Sequence, residues 1–299
     1  MNKKEFWLNF NLGTELSVSG NFIYNGLKSL DNIEFFTEEP NVFEFLYNIS
    51  VGIERLLKIS VILIENESYE DLKKLEKELK NHNHQLLINR LKKFEDIKIG
   101  KEHISFLDLL NKFYNDLRYD RYSISNTNIF VNEKTELMKY FNKYFGVEIS
   151  EDDFFATPNS DEVKIKFGIM LGKICSLLYD LIVNKCSELN IYTYEQNSQS
   201  KSYKIFIRKE YNFIKERLAL KEMIIFLLNN NEDSELKKIV KTLKPIAFDN
   251  SFQEVILGLE NDIKKDNFID QLEEVYEEIN DVERENIIEI MDNPNYSIM

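Results

Sequence analysis

Arginine and tyrosine are the residue types here whose spacing could do chemistry. Arg118, Tyr119, Asp120, Arg121 and Tyr122 follow one another at the end of the run ISFLDLLNKFYNDLRYDRY, residues Ile104 to Tyr122. Two arginines so placed could hold a phosphate by paired N–H contacts while a tyrosine stacks on a base. Against that stands a plain structural account. Arg118 could pair locally with Asp116 or Asp120, and the tyrosines could cover a helix end. The three histidines, His82, His84 and His103, sit in no recognisable nucleophile context. His82 and His84 are two apart, so on a helix they point to opposite sides and make a poor metal pair. No metal or cofactor is expected. GxGxxG, Walker, HExxH, GxSxG and CxxC patterns are absent from the sequence, which argues against dinucleotide and nucleoside-triphosphate enzymes. What is left is Arg/His/Tyr chemistry. It suffices for metal-independent RNA cleavage, in which a base activates the ribose 2′-OH and cations stabilise the phosphorane.

The elements that must position these groups read as helices. Leu107, Leu110, Phe113, Tyr114 and Leu117 recur at three and four residues, and Ser105 with Asp108 reads as a capping box, so a helix is expected from about Phe106 to Arg118. Val42 to Glu65 is apolar nearly all round except for a stripe of Glu44, Asn48, Arg55 and Lys58, with Glu54 beside it. That pattern belongs at the centre of a bundle. The stripe is either an internal ion-pair seam or the lining of a cleft, and charged residues on buried helices usually pair. Arg55 and Lys58 are candidate RNA contacts on the second alternative. Leu72 to Phe94 is one long helix or two broken at Asn81-His82-Asn83-His84. Lys134 to Phe145 has Asn132 to cap it and Gly146 to end it. Phe6 to Leu12 alternates like a strand, Gly20 and Gly26 weaken a helix over Thr14 to Leu30, and Pro40 marks a loop.

Composition supports an all-α reading. The chain has 299 residues, 43% hydrophobic and 30% charged, with only 9 glycines and 4 prolines. Few chain breakers favour long helices. Phe167 to Val183 is the most apolar run, but it is short for a membrane span and contains Lys173 and Asp180, so no membrane partner is expected. Within it Gly168 and Gly172 form a small-xxx-small pair suited to close helix packing. Cys175 and Cys186 are expected as buried thiols of a cytoplasmic protein.

Charge is unevenly placed. The net charge is −14, and Asp249 to Met299 carries −12 of it, leaving −2 for residues 1–248. Lys201 to Phe248 carries +5, with Arg208 and Lys209 as candidate RNA contacts. The acidic end could mimic nucleic acid or engage a basic protein partner. The expected organisation is a helical bundle over 1–190, a basic connection and helices over 191–248, and an acidic amphipathic segment over 249–299.

Four stretches together resemble bacterial members of the HEPN-like superfamily: VFEFLYNISVGIERLLKI, HNHQLLINRLKK, FLDLLNKFYNDLRYDRY and LNIYTYEQNSQSKSYKIF. The resemblance spans roughly Glu15 to Phe206. It implies an up-and-down helical bundle, often a homodimer, with a ribonuclease site at the dimer cleft and a role as a toxin or phage-defence effector. Active members place a histidine four to six residues after an arginine. Here Tyr122, Ser123 and Ile124 occupy those places after Arg118, and His103 precedes Arg118 by fifteen residues. Either the motif is degenerate, or Arg118 and Arg121 work with a histidine from another helix, such as His84; the expected catalytic set is Arg118, Arg121, His84 and Tyr122, with Tyr119 as an RNA contact. The competing expectation is a non-catalytic helical interaction protein that works through residues 249–299. A small-molecule enzyme with a cleft beside Glu54 and Arg55 is a third.

Overall fold

Leu12–Asn32 (α1) and Glu39–Glu65 (α2) form the most extensive pairing in the molecule. The computed structural model describes residues 3–37, 39–65, 72–120, 122, 132–148, 157–191, 198, 200–231, 234–260, 268–278 and 282–291. It is all-α: among the described residues there is no strand, only an isolated bridge between Phe35 and Pro158. The chain divides into two compact units, Met1–Phe213 and Ile214–Met299.

In the first unit, α2 is the central helix. Seventeen of its 27 residues are buried, from Val42 to Glu65. Around it pack α1, His84–Leu91 (α4), Lys101–Lys112 (α5), Glu133–Phe145 (α6) and Asp161–Glu188 (α7), with Leu72–Glu78 (α3) preceding α4. Glycine sets the tightest approaches. A Cβ on Gly26 would lie 2.6 Å from the Ile49 side chain, and one on Gly52 would lie 2.6 Å from Ile23. The glycines that weaken helix propensity are what let α1 and α2 cross closely. Gly168 and Gly172 do the same for Tyr211, whose carbonyl oxygen and ring would each sit 2.6 Å from an added Cβ. Helix α7 is long and apolar enough to cross a membrane by length and composition, and half of that stretch is buried inside the bundle. Cys175 and Cys186 are free buried thiols on it, and burial pushes the Cys186 thiol up to about 11.

Several local expectations change. Phe6 to Leu12 is helical, with a π-turn over Trp7–Asn11, because burying Leu8 and Leu12 on the bundle needs helical spacing. Pro40 lies inside the first turn of α2, where its missing N–H costs no helix bond. Helix α5 begins at Lys101 rather than near Phe106. Buried His103 turns back and its Nδ1 accepts from the Gly100 N–H at 3.1 Å, closing the helix start ahead of Ser105. The helical path continues through a π-turn at Phe113–Leu117 and on to Asp120. Leu72 to Phe94 is two helices, since the Asn83 side chain accepts from Leu86 N at 2.9 Å and starts α4 afresh. Asn132 and Gly146 cap α6 as expected, the latter at φ 71°.

The first compact unit runs through Phe213. Lys201–Phe206 (α8), started by the Ser200 side chain, packs on α1 with Ser202 and Phe206 buried. This basic stretch is part of the bundle, because its apolar face fits the groove left open by Gly20.

The second unit contains Ile214–Asn229 (α9), Glu235–Val240 (α10), Phe252–Glu260 (α11), Phe268–Glu278 (α12) and Val282–Met291 (α13). Phe248 packs edge-on against Phe268 at 5.3 Å, and Arg284 donates to the Lys244 carbonyl at 2.8 Å. Among its described residues only Gly258 and Phe268 are buried.

Candidate functional site

Helix α2 reserves one face for charge, and that face opens into a cleft of about 770 Å³. Trp7, Leu12 and Glu15 form one wall, Glu54, Arg55, Lys58 and Ile62 the floor, and Leu75 and Leu79 the opposite wall, with His82 and Tyr114 at the rim. For Glu54, Arg55 and Lys58 the two alternatives are therefore both realised: these residues pair, and the pairs line a cleft. Arg55 bonds Glu15 across to α1. Lys58 Nζ donates to Glu54 Oε1 at 2.6 Å, one helical turn away.

Glu54 is the pivot. It is buried, and besides Lys58 it receives His82, whose Nδ1 lies 3.1 and 3.0 Å from the two carboxylate oxygens. A carboxylate can only accept, so Nδ1 carries a proton, and in the neutral imidazole the acceptor is Nε2. Among the described residues nothing bonds Nε2, and the His82 side chain is 45% exposed. The backbone of that turn is held too: the Asn115 side chain donates to the His82 carbonyl at 3.5 Å. A carboxylate-oriented imidazole with a free nitrogen facing a cleft is the arrangement of a general base. Lys58 and Arg55 supply positive charge on the same floor.

The rim connects this pair to the arginine–tyrosine run. The Tyr114 ring lies 5.0 Å from the His82 ring. The Arg118 guanidinium sits over Tyr114 at 3.6 Å and over Tyr119 at 4.5 Å. The residues expected to act thus separate into two groups. Arg55 and Lys58 line the cleft, and Arg118 and Tyr119 adjoin its rim through Tyr114. His84 does not reach the cleft. It is fully buried, its Nε2 lies 2.9 Å from the Ser50 carbonyl, and burial holds its pKa below the ordinary histidine value. The two-residue spacing that made His82 and His84 a poor metal pair sends one into the core and the other to the cleft. Tyr122 is 85% exposed and lies off the cleft, and Arg121 lies outside the described residues. Arg208 and Lys209 are exposed at the end of α8, beside Glu210 at 3.5 Å and Asp180 at 3.7 Å, away from the cleft lining.

No protein-family model, no curated protein and no solved structure matches this chain. The site must be read from its own chemistry.

Sequence reasoning missed His82 as the exposed histidine, and Trp7 and Glu15 as cleft walls. A usable signal existed for the first. Of the two histidines at the break, His84 falls at the start of the apolar period that continues through Leu87, Ile88 and Leu91, and His82 does not. No comparable signal marked Trp7, because its side of the cleft is set by how the N-terminal turn lies on α1.

Proposed function

We propose that the chain is an RNA-directed effector of the HEPN-like type, acting in the cytoplasm in bacterial defence, that cleaves RNA without a metal ion. The observation that carries this is the Glu54–His82 pair, with Nε2 free at a cleft that also holds Lys58 and Arg55. In the reaction, His82 Nε2 takes the proton of a ribose 2′-OH. The oxygen attacks the neighbouring phosphorus, the bond to the 5′-oxygen breaks, and that oxygen takes a proton from a water whose hydroxide then receives the proton held by His82. A 2′,3′-cyclic phosphate and a 5′-hydroxyl end result. Glu54 fixes the imidazole tautomer and stabilises the imidazolium that forms. Lys58 and Arg55 stabilise charge on the phosphorane. The HEPN-like resemblance supports the substrate class and a homodimer. The histidine that the arginine motif lacks in sequence is supplied in this reading from the turn before α4.

Incubation of the full chain with total bacterial RNA in EDTA, beside His82→Gln and Arg118→Ala, tests this. The expected result is cleavage by the wild type and a loss of about 10²-fold or more in His82→Gln, the scale of a lost general base. Cleavage that EDTA abolishes, or that His82→Gln leaves intact, overturns the assignment.

A second reading, a helical interaction protein, is favoured by the C-terminal unit. Helix α9 has no buried residue, and Met223, Ile225, Phe226, Leu227 and Leu228 are all more than half exposed. A run of exposed large apolar side chains marks a surface that a partner covers. Deleting 249–299 would change partner or RNA binding on this reading. Unchanged binding at both low and high salt rejects a role for the acidic segment.

A further inference from the structure

Across the first unit, lysines face carboxylates. Lys112 meets Glu136 at 2.8 Å, Lys166 meets Glu162 at 2.7 Å and Lys185 meets Glu188 at 2.8 Å. Arg208 and Lys209, just past α8, face Glu210 and Asp180. Where α8 lies on α1 the pattern changes. Lys28 Nζ lies 5.2 Å from the centre of the Phe213 ring, and Lys204 Nζ lies 3.9 Å from the same ring. Lys204 is also 5.3 Å from the Tyr24 ring, which Lys201 approaches at 5.1 Å. The two rings meet edge to face at 5.1 Å. Three ammonium groups thus share two aromatic rings. Among the described residues no carboxylate pairs with Lys28 or Lys201, and Lys201 Nζ donates to the neutral Asn25 side chain at 2.8 Å.

This cluster is held in place by the close seat of Ser202 on Gly20, which fixes the two lysines on either side of Ser202 over Tyr24. An aromatic face attracts a cation but does not cancel its charge. One lysine would cover each ring, and a third adds like-charge repulsion that packing does not call for. The cluster also continues the charge of the cleft. Arg55, on the cleft floor, lies over the Phe22 ring at 5.8 Å. Asn25, which holds Lys201, follows Phe22 by three residues and so lies one turn along the same side of α1.

We infer that Lys28, Lys201 and Lys204 form a second RNA-binding surface, which holds the phosphate backbone of a strand running out of the cleft along α1. The inference rests on the reading of the cleft as a ribonuclease site and extends its substrate to a strand several nucleotides long. An ammonium meets a phosphate as a point charge and reads no base, so this surface adds affinity and register without sequence preference. An RNA backbone is favoured over an acidic protein segment because the strand engaged at the cleft is carried past these lysines.

The test is fluorescence anisotropy with the full chain over a series of salt concentrations. The probe is a labelled twenty-nucleotide 2′-O-methyl RNA, which lacks the attacking hydroxyl and is not cleaved. Each lost phosphate contact flattens the slope of log affinity against log salt by about 0.7 for a single strand. Lys201→Gln, at an exposed position, should flatten it by about that much. The triple variant Lys28→Gln, Lys201→Gln, Lys204→Gln should flatten it by about 2 and bind about 10²-fold more weakly at about 0.1 M salt. The triple lysine-to-arginine variant, which keeps the charge, should hold the wild-type slope. Unchanged slope and affinity in both glutamine variants overturns the surface. If those variants bind the RNA as the wild type does but lose binding to polyglutamate, the surface takes an acidic protein segment and the RNA assignment falls. The two proposals fail separately. If the wild type does not cleave ordinary RNA while the lysine variants lose binding, the ribonuclease reading falls and the surface stands. If His82→Gln abolishes cleavage while the lysine variants bind as the wild type does, the surface falls and the ribonuclease reading stands.

Discussion

Gly20→Ala separates helix propensity from packing at the place where α8 joins the bundle. In an exposed helix the substitution would stabilise by about 1 kcal/mol, since alanine loses less backbone entropy. Here the new Cβ would lie 2.5 Å from Ser202 Cβ, 2.6 Å from Ser202 Cα and 2.9 Å from the Phe206 ring. Carbon atoms in comfortable contact are about 3.5–4.0 Å apart, so α8 must move off α1 by about 1 Å. The Ser202 backbone cannot swing aside as a side chain can. Overpacking of this kind costs about 1–3 kcal/mol, and a backbone clash belongs at the upper end. The net expectation is destabilisation of about 2 kcal/mol. For a unit of this size that is about 4–8 °C in Tm, measured by thermal circular dichroism. Adding Ser202→Gly removes the clash with the serine side chain and leaves the one with its backbone, so rescue should be partial. Limited trypsin digestion should also cut faster at Lys201 and Lys204. A Tm that is unchanged or higher would refute the reasoning, and with it the assignment of α8 to the first unit.

Two further outcomes follow from buried charge. Arg90 donates to Glu65 at 2.6 Å and meets Glu78 at 2.9 Å, and Glu65 is only 3% exposed. Arg90→Met should cost about 3 kcal/mol, read as a lower urea midpoint, because it strands a buried carboxylate; adding Glu65→Gln should recover most of that loss, and no recovery would show that the arginine acts through packing alone. Burial holds the folded-state pKa of His84 and of His103 below the unfolded value near 6.5. Their stabilising contribution is complete above pH 6.5 and is lost as pH falls from there toward the lowered folded values, because the unfolded chain then binds more protons. Tm should drop between pH 7.5 and 5, and the drop should shrink in His84→Gln; an unchanged drop would place the acid sensitivity elsewhere.

Much of the fold was legible because it follows from period and caps. Leu137, Phe141 and Phe145 gave α6 its face, and Asn132 and Gly146 its ends. Helix α2 declared itself central through apolarity on nearly every side. The misplaced features share a cause, which is that a distant contact decided them. Ser105 looked like a cap, but His103 closes α5 earlier. Lys201–Phe206 fell in the expected basic connection and helices, and it is Gly20 that lets it pack on α1. The site was half legible. The α2 stripe was visible as charge on an apolar helix, while the histidine beside it comes from the turn before α4, held there by Glu54 and Asn115. Arg118 was singled out for its hydrogen-bonding capacity, and the structure adds that it stacks on its tyrosine neighbours and has no carboxylate partner among the described residues.

The two groups of charges on α2 show why one is read as structural and the other as functional. At the C-terminal end Arg90 closes over Glu65 with two hydrogen bonds, and Glu78 meets the same guanidinium at Nη2. Both oxygens of the buried Glu65 carboxylate are thus taken by one arginine. Near the middle, Glu54 is as deeply placed but is satisfied by Lys58 and by an imidazole that is almost half exposed. A bundle that needed only to neutralise Glu54 could do so with Lys58 at 2.6 Å. His82 is a second partner that Glu54 orients through Nδ1, and it lines the cleft with its side chain almost half exposed. Stability alone gives no reason for a buried carboxylate to hold an exposed base, whereas proton transfer at the cleft does.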